Sequence, residues 1–71
     1  MKTLSYDPLW KTLIDHNISK TELAEKAKFS RTTLAKMGKN EVVSLEVIIR
    51  ICDELDCQIY DVIEVHDPAQ K

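Results

Sequence analysis

Between Lys20 and Met37, apolar or small residues fall at Leu23, Ala24, Ala27, Phe29, Leu34 and Met37. No other stretch limits the possible folds as much, because this spacing fits two short helices packed across a tight turn, with one face of the second left outward. Ser19 followed by Glu22 reads as a capping box, the serine oxygen taking a free N–H of the first turn while the glutamate reaches back. A helix therefore begins near Lys20, and the small side chain of Ala24 lets a crossing helix approach. Ser30 is a second good N-cap ahead of Arg31-Thr32-Thr33-Leu34-Ala35-Lys36-Met37, and Gly38 is expected to stop that helix by taking a positive φ. Leu34 and Met37 then turn inward, while Arg31, Thr32, Thr33 and Lys36 face out. That outer face offers cations and hydroxyls and no carboxylate.

The remaining sequence reads as further helices. Asp7-Pro8 predicts a start, with aspartate as N-cap and proline in the first turn. The helix carries Leu9, Trp10, Leu13 and Ile14 and ends at Asn17 in a left-handed cap. Ser44 caps a later helix whose Leu45, Ile48, Ile51, Cys52 and Leu55 form an inward stripe, leaving Val47 and Ile49 outside it. With a last short helix at Tyr60–Ile63, the expectation is an all-α, five-helix domain over residues 7–63, with tails at 1–6 and 64–71. Thr3–Tyr6 and Val62–His66 are candidates to pair as short strands.

From about Trp10 to Ile63 the chain resembles the phage Cro/repressor-type, lambda-repressor-like helix-turn-helix family of small transcriptional regulators. The similarity covers the Lys20–Met37 pair, Ser44–Leu55 as the fourth helix and Tyr60-Asp61-Val62-Ile63 as the closing helix. One departure is Lys28, which stands where the turn usually has glycine. The resemblance implies a sequence-specific regulator, a repressor by expectation, that places helix 31–37 in the major groove of double-stranded DNA as a homodimer. Carried over residue by residue, it makes Arg31, Thr32, Thr33 and Lys36 the base-reading set. Arg31 suits guanine O6 and N7, and the threonines offer a hydroxyl together with a methyl for thymine. Ser19, Lys20, Lys28, Ser30 and Lys39 are the expected phosphate contacts, which fix register without reading sequence.

A net charge of −2 looks unfavourable for such a partner until it is divided along the chain. From Ser19 to Asn40, Lys20, Lys26, Lys28, Arg31, Lys36 and Lys39 stand against Glu22 and Glu25, a surplus of four positive charges. From Glu41 onward eight acids face only Arg50 and Lys71, a deficit of six. The positive charge therefore lies on the expected reading unit.

At 71 residues the chain builds one modest core, which oligomerisation would help. Cys52 and Cys57 lack metal-site spacing and histidine partners, so no metal or other cofactor is expected, and Cys52 reads as a small core residue. His16 and His66 read as solvent-exposed. No nucleophile–base arrangement or glycine-rich phosphate loop is present, which argues against an enzyme. No segment is apolar enough to span a bilayer and Met1–Tyr6 is no signal peptide, so the expectation is a cytoplasmic protein without membrane contact or small-molecule effector. The alternative is a protein-interaction module of the same fold, antitoxin- or inhibitor-like, acting through the acidic C-terminal half and exposed apolar residues such as Ile49.

Overall fold

The computed structural model describes residues 2–67. In chain order these form β1 (Thr3–Ser5), α1 (Asp7–His16), α2 (Lys20–Lys26), α3 (Arg31–Gly38), α4 (Leu45–Leu55), a 3₁₀ turn (Ile59–Asp61) and β2 (Glu64–His66). There are thus four helices among the described residues. The expected fifth, at Tyr60–Ile63, is a single 3₁₀ turn that begins one residue earlier. Its geometry is set locally, since the Asp61 carboxylate accepts the Gln58 N–H at 3.0 Å while Val62 is fully buried behind it.

The two candidate strands do pair, antiparallel, with Thr3 opposite His66 and Ser5 opposite Glu64. Each is shorter than expected, and the ribbon they form ties together two segments that composition alone reads as tails. Residues 68–71 of the expected C-terminal tail lie outside the described residues.

One core joins these elements: Tyr6, Leu9, Leu13, Leu23, Ala27, Met37, Ile48, Ile51, Leu55 and Val62. The α4 stripe is rotated from the expected one. At about 100° per residue, Ile48, Ile51 and Leu55 cluster within roughly 60°, with Val47 and Cys52 flanking them on either side and Leu45 roughly 90° from their centre. Accordingly Val47 and Cys52 are half-buried against the core, whereas Leu45 is 68% exposed. Ile49 is exposed, as its phase requires.

The start of α1 also differs. The Asp7 carboxylate caps nothing. The preceding Tyr6 occupies the cap position, and the Ser5 hydroxyl accepts the Asp7 N–H at 3.2 Å. Pro8 still sits in the first turn, where a missing N–H costs no helical bond.

All four helices end through a left-handed residue that is not glycine: Asn17 (φ 57°), Lys28 (φ 61°), Asn40 (φ 58°) and Asp56 (φ 51°). Asn17 behaves as expected, with its N–H bonded to the Ile14 carbonyl and the Ile18 N–H bonded to Leu13. At the end of α3 the expectation fails. Gly38 lies inside the helix, has no positive φ, and the stop is made two residues later by Asn40. Asn40 N–H to Met37 O at 3.0 Å and Glu41 N–H to Lys36 O at 2.9 Å form the paired closing bonds. Asparagine tolerates this conformation better than other side chains do, and here its own side chain has a further use: Asn40 Oδ1 accepts the Tyr6 N–H at 3.2 Å.

Candidate nucleic-acid interface

The unit formed by α2 and α3 owes its shape to two serine caps and one turn. Ser19 Oγ accepts the Glu22 N–H at 3.1 Å and Ser30 Oγ accepts the Thr33 N–H at 3.1 Å. The reciprocal half of the expected capping box is absent, because the Glu22 carboxylate turns to Lys26 at 3.5 Å instead. Leu23, Ala24 and Ala27 are buried, and half-buried Phe29 packs on the core between the two helices. Lys28 makes the turn itself, in the left-handed region, where a lysine costs about 1–2 kcal/mol relative to glycine. Arg50 of α4 donates to the Lys28 carbonyl at 3.1 Å and so holds the turn against the neighbouring helix.

On α3, Met37 is fully buried and Leu34 half-buried, leaving Arg31, Thr32 and Lys36 exposed. Among the described residues the ion pairs are Lys26–Glu22 and Arg50–Glu46, so no carboxylate neutralises Arg31 or Lys36. Their donors remain available to an anionic partner.

Thr33 departs from the other three. It is half-buried, and its Oγ1 lies 3.1 Å from Ser30 Oγ, so its hydroxyl is engaged in the cap while only part of the side chain meets solvent. Thr33 and Lys36 instead form one wall of a hollow whose other wall is Val42, Val43, Ser44 and Val47. Val42, 78% exposed, is a residue that the sequence reading did not place here. Its signal was weak, an apolar residue in a polar loop.

Of the expected phosphate contacts, Lys20, Lys28 and Lys39 have different surroundings. Lys20 lies at the start of α2 with its ammonium 4.4 Å from the Trp10 ring centroid, a cation–π contact that holds the side chain in place without neutralising it. Lys39 follows α3 and is exposed. Lys28 is set apart, in a hollow shared with Lys26, Arg50, Asp53 and Glu54, where two acids temper its charge.

No cluster of three metal-ligating side chains occurs among the described residues. Cys52 and Cys57 are free thiols, and burial together with the neighbouring Cys52, Asp61 and Asp56 pushes the Cys57 thiol up to about 11. That environment suppresses the thiolate needed for nucleophilic or metal chemistry. No helix among the described residues is long and apolar enough to cross a membrane.

Comparison with known proteins agrees with this geometry. The family model of the Cro/C1-type HTH DNA-binding domain matches residues 8–68. Comparison with curated protein sequences gives no match. A crystal structure of the transcriptional regulator VanUg, form II, superposes with a TM-score of 0.88 at 48% sequence identity, covering 90% of this chain and 85% of that one.

Proposed function

Because the chain belongs to the Cro/C1-type helix-turn-helix DNA-binding family, we propose that it is a cytoplasmic, sequence-specific repressor that binds double-stranded DNA as a homodimer. In this reading α3 enters the major groove. Arg31 reads guanine, Thr32 and Lys36 contact base edges or adjacent phosphates, and Thr33 supports the helix start and offers its methyl. Ser19, Lys20, Ser30 and Lys39 hold the backbone, with Lys28 contributing least because Asp53 and Glu54 share its hollow.

The observation that carries the reading is the unneutralised outer face of α3: Arg31 and Lys36 are exposed and no carboxylate pairs with them among the described residues. Two copies are proposed because a single short helix reads only a few base pairs, and paired helices would address successive major grooves about 34–36 Å apart. The exposed Leu45 and Ile49 on α4, one turn apart, support a surface through which copies could associate.

The test is selection from randomised duplexes followed by a salt titration of the winner. Enrichment of a two-fold symmetric site with a steep salt dependence is the expected result. Flat, weak binding to every duplex overturns the reading and favours the protein-interaction alternative.

A further inference from the structure

A second groove lies beyond the C-terminal end of α3. It has a volume of about 640 Å³ and is lined by Lys2 and Thr3 of the N-terminal segment, Lys39, Asn40 and Val42 of the loop after α3, and His66 of β2, among others. It adjoins the reading face through Val42, which also lines the hollow beside Thr33 and Lys36.

The groove is held in register with α3 by two bonds to one residue. The Tyr6 N–H donates to Asn40 Oδ1 at 3.2 Å and the Tyr6 hydroxyl donates to the Glu41 carbonyl at 2.7 Å, and Tyr6 itself is fully buried. The ribbon is therefore fixed beside the end of α3.

Resting on the DNA reading above, we propose that this groove is a second contact to the same duplex: it takes a backbone phosphate flanking the bases read by α3, with Lys2 and Lys39 as its cations. Both lysines are exposed, and neither has an ion pair among the described residues. One carboxylate, Asp7, also lines the groove, so the local balance is two lysines to one acid, which suits a singly charged phosphodiester. Continuity with the α3 face selects DNA over an acidic protein segment as the occupant.

The test compares the wild type with Lys2→Gln on two versions of a selected operator, one carrying about five extra base pairs on each flank and one trimmed to the read bases. On the long duplex, loss of one phosphate contact lowers affinity about eight-fold at 0.1 M salt and reduces the salt slope by about 1. On the trimmed duplex the two proteins bind alike. Equal affinities on both duplexes, or an equal loss on both, overturn the proposal, the second pattern marking a diffuse charge effect. Failure of the wild type on every duplex strikes instead at the DNA reading on which it rests.

Discussion

At the scale of single residues, the outer face of α3 is where sequence and structure agree most closely. Arg31, Thr32 and Lys36 project outward because Met37 must point inward, and a helix that buries one face fixes the direction of the opposite one. Arg31→Ala is expected to cost about 1–3 kcal/mol of binding at the preferred operator and to relax selectivity at one base pair. Titration against the operator and its single-base variants measures both, and undiminished discrimination would remove Arg31 from the reading set. The residues that sequence placed less well are Thr33 and Lys28, whose surroundings are set by partners rather than by their own position. Thr33 was legible as an outward hydroxyl, yet its bond to Ser30 follows from the cap geometry at the helix start. Lys28 was legible as a departure from the turn's usual glycine, whereas its acidic neighbours Asp53 and Glu54 come from α4, some 25 positions along the chain.

At the scale of elements, the helix starts were more legible than the ends. Ser19, Ser30 and Ser44 each cap as expected, because an N-cap acts on an N–H only three residues away. Helix ends depend on which residue can afford the left-handed region, and here the sole glycine is not that residue. Gly38 has a helical backbone, and a Cβ built on it meets nothing within 4 Å. Gly38→Ala is therefore expected to stabilise the protein by about 0.5–1 kcal/mol, the usual gain of alanine over glycine inside a helix. Denaturant unfolding measures this, and a lower midpoint would restore Gly38 as the stop. The phase of α4 likewise depends on more than its own sequence. A stripe beginning at Leu45 is a valid helical pattern, but the face that α4 buries is the one that joins the core shared with Leu9, Leu23 and Val62, which periodicity within one helix does not reveal. The closing element is a single turn, with Val62 buried behind it and the Thr12 hydroxyl 2.9 Å from the Asp61 carbonyl.

At the scale of the whole molecule, the pairing of β1 with β2 joins the two ends of the described sequence. Thr3 Oγ1 donates to the His66 carbonyl across 63 residues of chain, so the ribbon closes nearly the entire described sequence into a loop. The capped helices and the α2–α3 pair need only local closure, which costs less conformational entropy and proceeds faster. The ribbon should therefore be the last element to form and the first to open. Amide hydrogen exchange would resolve this, with protection in Thr3–Ser5 and Glu64–His66 well below that at Leu23 and Ile51. Equal protection throughout would mean that the ribbon and the core open as one unit. If the ribbon opens first, the groove beside Lys2 exists only in the fully closed molecule, and a protein with its ends unzipped would still present α3 to a duplex while losing its grip on the flanking phosphate.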